Sequence, residues 1–130
     1  MNYEEHDRGR VWIMWKAAEF RVRIIDSMEQ AIHCEILHIF TNRCFALTAV
    51  YGSNDADERH LLWQFLINKS TSTWPWLIVG DFNHLLHTDD RISGAPMTLQ
   101  DTEDFKDCLQ TLGIQNIAWK GCRYTWTNKQ

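Results

Sequence analysis

Eight consecutive residues constrain this chain more than any others: Trp76-Leu77-Ile78-Val79-Gly80-Asp81-Phe82-Asn83. The apolar run that opens the stretch is short, partly β-branched and preceded by Pro75, so it reads as a strand in need of cover rather than a helix. It ends in Gly-Asp-x-Asn, which sets a carboxylate and a carboxamide two residues apart. Two accounts fit that exit. In one, Asp81 and Asn83 form an Asx turn or cap a helix at His84-Leu85-Leu86. In the other, the strand is a rigid support for two polar groups at the rim of a site, because ligands in α/β sheets bind beyond the carboxyl ends of buried strands. Taken alone the tetrapeptide favours the turn, since Asp and Asn commonly follow strands.

The surrounding pattern supplies the rest of a fold. Residues 1–9 are polar and read as a frayed terminus. Val11-Trp12-Ile13-Met14-Trp15 is apolar at every position, as in a strand covered on both faces. Phe20, Val22 and Ile24 alternate with Arg21 and Arg23, the pattern of a half-buried strand. Residues 30–39 and 44–51 read as two further strands joined through Thr41-Asn42-Arg43, so the first third predicts an antiparallel meander.

Gly52-Ser53-Asn54-Asp55 breaks that meander, and a helix follows from about residue 56. Leu61, Leu62, Phe65 and Leu66 are expected on its inner side, with Asp57, Glu58 and Lys69 toward solvent. After the 76–82 strand, residues 84–97 form an irregular link containing Gly94 and Pro96. Thr98 and Asp101 resemble a capping pair for a second helix, whose inner face carries Phe105, Cys108, Leu109 and Leu112 and which stops at Gly113. Tyr124-Thr125-Trp126-Thr127 reads as a last strand. Strands first, then strand and helix in alternation, predict one α/β (α+β) domain with layers covering both faces of a sheet.

Composition narrows the partners. The 130 residues are 45% hydrophobic and 23% charged, a globular balance, and the seven Trp bring large buried areas. A net charge of −4 offers no basic field for nucleic acid, although a bound metal can carry the positive charge instead. Cys34, Cys44, Cys108 and Cys122 have neither C-x-x-C nor matching His spacing, which argues against zinc and for a reducing compartment. With no signal peptide and no apolar run near ~18 residues, the expectation is a soluble intracellular protein, nuclear or cytoplasmic, with no membrane partner.

The residues able to do chemistry cluster at strand exits. Asp81 accepts only, whereas Asn83 both donates and accepts, a pairing suited to orienting water beside a phosphate oxygen or to sharing Mg²⁺. The two point the same way if the extended backbone persists to residue 83. Val50-Tyr51-Gly52-Ser53-Asn54 is a second exit, with a hydroxyl at Tyr51 and an amide at Asn54. Taken alone, a core-edge Tyr before a Gly turn is the better account of it.

"VYGSN", "PWLIVGDFN", "DDRISG" and "GCRYTWTN", in this order and spacing, resemble the endonuclease/exonuclease/phosphatase superfamily with its deoxyribonuclease I-like fold. More narrowly they look like the endonuclease region of plant LINE-type non-LTR retrotransposon polyproteins, which precedes a reverse transcriptase. The likeness runs from about Asn2 to the last residue. It implies a two-sheet α/β sandwich and Mg²⁺- or Mn²⁺-assisted hydrolysis of DNA phosphodiesters by in-line attack of water. It makes Tyr51 the Tyr facing the scissile phosphate and Asn54 a phosphate contact. It makes Asp81 the residue that orients the water, and Asn83 the one that fixes this Asp and the phosphate, both near the metal. Trp126, a looser match, would border the substrate groove.

The departures matter as much. The family's first strand ends in Asn and its second in the Glu that anchors the metal, and both would precede these residues. Its closing Arg-x-Asp and Ser-Asp-His segments do not occur here either. The expectation is therefore a partial sandwich, lacking first and last strands, that is inactive or nearly so by itself. Losing one preorganised donor already costs ~10²–10³ in rate. A phosphatase of the same superfamily acting on a small phosphorylated substrate, and a noncatalytic binding remnant, are the alternatives. His84 and His87 follow the wrong strand to replace the missing His, Asp89-Asp90-Arg91 fits a brace for the loop near the substrate and a local ion pair equally well, and Arg59 is assigned to the surface. Trp12, Trp15, Trp63, Trp74, Trp76 and Trp119 are assigned to the core or its edge.

Overall fold

The computed structural model describes residues 10–70, 73–83, 99–118 and 120. The 84–97 link, His84, His87, Asp89-Asp90-Arg91, the Thr98 cap, Trp119 and the 124–127 segment with Trp126 lie outside the described residues. The chain divides into two compact units, Met1–Asn83 and His84–Gln130. The class is α+β, with one four-stranded sheet and two helices among the described residues.

The first unit begins with the expected meander. Strand β1 (Phe20–Met28) pairs antiparallel with β2 (Ala31–His38), which pairs antiparallel with β3 (Arg43–Tyr51). The β2–β3 turn places Asn42 at φ 53°, a left-handed position that Asn tolerates because its short side chain can bond locally. The β1–β2 register shifts between Ile24 and Asp26, leaving Ile25 as the unpaired residue of a bulge. The helix α1 (Ala56–Lys69) then carries the chain over to β4 (Trp76–Asp81), which runs parallel to β3 and completes the order β1-β2-β3-β4. A parallel neighbour requires a crossover of this length, whereas the antiparallel strands needed only tight turns.

Val11–Trp15 is not a strand. Val11 is buried, but Trp12, Met14 and Trp15 are exposed and no strand ladders onto the segment among the described residues. Apolar composition is no substitute for a backbone partner: a strand exists only where its N–H and C=O groups are taken up. Trp15 and Trp74 likewise lie at the surface rather than in the core, while Trp63 is buried.

Helix α1 is stopped at its start by Asp55, whose carboxylate accepts the Glu58 N–H at 3.0 Å, an N-cap. Its buried residues are Arg59, Leu62, Trp63 and Leu66, an i, i+3, i+4, i+7 stripe. That stripe is rotated from the one expected: Leu61 is 57% exposed, and Arg59, assigned to the surface, is only 8% exposed. The apolar count could not see that an arginine would take an inward position for its hydrogen bonds. Lys69, expected in solvent, instead forms an ion pair with Asp26 of β1 and lies 4.7 Å from the Phe65 ring centroid.

By register, Asp26, His33 and Thr48 sit side by side on one face of the sheet, and the Lys69–Asp26 pair brings the end of α1 to that face. The residues beneath are small: Ala31, Ala46 and Thr48 have no exposed surface. His33, 4% exposed, shares a 2.7 Å hydrogen bond between Nδ1 and the Thr48 hydroxyl. The same hydroxyl oxygen accepts the Trp76 indole N–H at 2.9 Å, and the His33 ring meets Trp76 edge-on. Three strands are thus tied through one hydroxyl. β4 is less covered than its composition suggests, with Val79 39% exposed, because it is an edge strand among the described residues.

In the second unit, α2 (Leu99–Leu112) matches the expected helix, with Phe105 and Cys108 buried and Glu103 and Asp107 exposed. Burial pushes the Cys108 thiol up to about 11. Gly113 at φ 66° closes the helix. Its N–H donates to Gln110 and that of Ile114 to Leu109, the paired bonds of a Schellman end. No helix among the described residues is long and apolar enough to cross a membrane.

Burial, then Lys69, hold His33 below the ordinary value of 6.5 against the opposing pull of Asp26 and Glu35. The unfolded chain therefore takes up this proton first, so the His33 contribution is complete above 6.5 and is lost as pH falls through that value toward the lowered one. The urea midpoint should drop on acidification from about pH 7.5 to 5.5, and His33→Gln should flatten that slope. Asp26, held below 3.8 chiefly by its bond to Lys69, acts in a separate window: its contribution is present above 3.8 and lost as pH falls through its lowered value. Gly80 sits at φ 136°, and a Cβ there would lie 1.9 Å from the Val50 carbonyl oxygen. Gly80→Ala should therefore cost about 1–3 kcal/mol in urea unfolding.

Candidate functional site at the strand exits

Because β3 and β4 are parallel, they end at the same level, and Tyr51 and Asp81 are register partners whose side chains share a face. The pairing continues one step beyond the strands, where the Gly52 N–H donates to the Asp81 carbonyl at 2.7 Å. Glycine is required there: a Cβ at position 52 would lie 2.3 Å from the Phe82 carbonyl oxygen.

β4 then turns sharply. The Asp81 carboxylate accepts the Asn83 N–H at 2.8 Å, an Asx turn, and Asn83 takes φ 47°. The extended backbone stops at Asp81, so the strand pleat does not align the two side chains as the sequence suggested. The turn brings them together instead. It swings the Asn83 amide back to donate to the Gly52 carbonyl at 2.6 Å, which sews the exit of β4 to the exit of β3. The geometry shows the first account of Gly-Asp-x-Asn: the motif is an Asx turn, and the turn carries the Asn83 amide to the neighbouring strand end.

The loop 52–55 is held on every side. Gln30, just before β2, accepts the Ser53 N–H at 2.7 Å and donates to the Glu58 carbonyl at 2.8 Å, while its own carbonyl accepts the Tyr51 N–H at 2.8 Å. The Ser53 hydroxyl bonds to the Glu58 carboxylate and accepts the Asp55 N–H. One terminal nitrogen of Arg59, Nη1, donates to two successive carbonyls, Ser53 at 2.9 Å and Asn54 at 2.8 Å. Buried carbonyls need such donors, and Arg59 serves both at once.

With most of the loop backbone partnered, the side chains of Tyr51 and Asn54 remain outward. Tyr51 is 42% exposed, and neither its hydroxyl nor the Asn54 amide has a hydrogen-bond partner among the described residues. Together with Arg10, Gly52 and Asn83 they line an open groove of about 450 Å³. Three of the four described site residues expected from the sequence, Tyr51, Asn54 and Asn83, therefore meet in one groove. The fourth, Asp81, stands beside Tyr51 and is exposed without lining it. Trp126 lies outside the described residues. Sequence reasoning missed Arg10, Gln30 and Arg59. Nothing in the local pattern marks Gln30, while the polar start of α1 hid the inward role of Arg59.

The donor set for a metal is sparse. Among the described residues no group of three or more His, Cys, Asp or Glu could hold an ion. Asp81 and the Asn83 amide oxygen suit a Mg²⁺ that keeps several waters and a substrate oxygen, and they do not suit a closed protein cage. Replacing Arg59 with Met preserves much of the side-chain bulk but leaves two carbonyls unserved. The variant should lose about 1–3 kcal/mol of stability, with faster hydrogen exchange concentrated at residues 53–55. Comparison with protein-family models, with curated proteins and with solved structures gives no match to this chain.

Proposed function

We propose that the strand exits form part of a phosphodiester-hydrolysing site of the endonuclease/exonuclease/phosphatase kind, in the manner of the DNA endonuclease of a plant LINE-type retroelement. The observation that carries this reading is the register pairing of Tyr51 with Asp81 at the ends of two parallel strands, beside a groove that also holds Asn54 and Asn83. Hydroxyl, carboxylate and two amides from separate segments meet on one rim, and each has a role in moving a phosphoryl group.

In this reading the Tyr51 hydroxyl donates to a non-bridging phosphate oxygen and the Asn54 amide to another. Asp81 orients the attacking water as hydrogen-bond acceptor and general base. Asn83 fixes the geometry through its bond to Gly52 and its backbone bond to Asp81. Asp81 and Asn83 are the residues that would hold Mg²⁺ or Mn²⁺, which when bound neutralises charge on the phosphoryl group. A two-sheet sandwich belongs to the same proposal. It is supported by the sheet face opposite Asp26, His33 and Thr48, where Val22, Ile24, Ile36, Phe45, Leu47 and Val79 form an apolar surface suited to a second layer.

The test is nicking of supercoiled plasmid with Mg²⁺. These 130 residues contain no Ser-Asp-His segment, and by themselves they should nick no faster than the buffer. A longer chain that joins them to an acidic metal anchor and that segment should nick, and Asp81→Ala should reduce the rate by at least about 10²-fold. Nicking by the longer chain that survives both Asp81→Ala and Tyr51→Phe would refute the assignment. Failure of that chain to act on plasmid while it releases phosphate from a phosphoinositide would move the site to a phosphatase.

A further inference from the structure

We infer that Arg10 is a phosphate-binding residue of the groove, reaching a non-bridging phosphodiester oxygen directly and without a metal. The inference rests on the phosphodiester reading above but concerns a residue that the family resemblance does not supply.

The first observation is the chemistry of the lining. The described residues of the lining, Arg10, Tyr51, Gly52, Asn54 and Asn83, include a guanidinium, a phenol and two amides, and no carboxylate. In a chain of net charge −4, walls with no acid among the described residues are a departure from the average surface. The second is that the polar tips of Tyr51 and Asn54 have no hydrogen-bond partners among the described residues, so donors are available where an oxyanion would sit. The third is charge balance. Asp81 stands exposed beside Tyr51. Without a cation the groove would combine neutral donors with a nearby negative charge and would repel phosphate. Among the described residues Arg10 is the cation that lines it.

Arg10 is held but not consumed. It pairs with Glu29 at 3.4 Å, and the two side chains are 40% and 51% exposed. An ion pair that open to solvent contributes little, so the guanidinium can leave it for a better acceptor. Its planar fork offers five donors, and the contact to Glu29 leaves most of them free for phosphate geometry. Glu29 then acts as a parking partner that keeps the side chain near the groove when no ligand is present, and it competes with the ligand.

Titration of the ¹⁵N-labelled chain in EDTA tests this, with dimethyl phosphate as the diester and inorganic phosphate as the alternative source of the same oxyanion. Wild type should show saturable shifts at the Gly52 and Asn54 amides, stronger for the diester. Arg10→Gln should weaken binding by about 10- to 100-fold, the range expected for a charge-assisted hydrogen bond. Arg10→Lys should fall between, and Glu29→Gln should bind at least as tightly as wild type. Amide spectra that otherwise overlay wild type check the fold. Absence of shifts in wild type, or equal affinity in Arg10→Gln, overturns the inference, and stronger binding of inorganic phosphate overturns its diester preference. The two readings fail separately. Asp81-dependent nicking by the longer chain without metal-free phosphate binding removes only the Arg10 role. Arg10-dependent binding alongside nicking that ignores Asp81 removes only the proposed catalytic assignment.

Discussion

The parallel contact between β3 and β4 is what the rest of the first unit depends on. Two glycines allow it. Gly80 faces Val50 across the ladder and Gly52 faces Phe82 one step further, and at both positions a side chain would collide with a carbonyl oxygen. Because the strands approach this closely and run the same way, Tyr51 and Asp81 emerge together. An antiparallel partner would have put the second exit at the far end of the sheet. The placement of two polar groups at one rim is thus a consequence of strand direction, and strand direction is a consequence of the helix that separates the two strands in sequence.

Around that contact the molecule uses few polar residues to do several tasks each. Gln30 serves Tyr51, Ser53 and Glu58, Arg59 serves two carbonyls, and the Thr48 hydroxyl joins β2, β3 and β4. Loop backbone that turns away from a sheet loses its ladder partners, and buried groups left that way each cost about 1–3 kcal/mol. Distributing the replacements over β2's leading edge, α1 and the β4 turn ties the loop to three elements. Its outward side chains are held by a backbone with little freedom, which is what a site needs if it is to meet a ligand without first ordering itself.

Much of this was legible from the sequence. The meander, the bounds of α1 and α2, the Gly113 stop and the strand at Trp76 follow from periodicity and from Gly, Pro and Asp punctuation, which act locally. Of the residues the resemblance assigns to one site, Tyr51, Asn54 and Asn83 line a common groove and Asp81 stands beside it. What could not be read were the residues whose roles are set by tertiary partners. Arg59 looks like any charged residue in a first helical turn, and its inward position is decided by carbonyls on a loop that turns only after β3. Val11–Trp15 carries a strand's composition, yet composition does not say whether another strand is present to receive its backbone. The Asx turn lies between these cases: Asp-x-Asn announces it, while the bond from Asn83 back to Gly52 depends on a strand about 30 residues earlier.

β4 closes one side of the sheet among the described residues, and its Trp-Leu-Ile-Val run carries no Lys or Pro within the strand to discourage pairing. Its outward N–H and C=O groups meet no further strand among the described residues, and such an edge is a template to which an extended segment of fitting register can add by backbone bonds alone. Among the described residues, the strand that fixes the position of Asp81 is therefore, like β1 on the other side, an edge at which the sheet could grow. Since register at such an edge is set by a pleat of period two, an added strand that slips by one residue would exchange its faces.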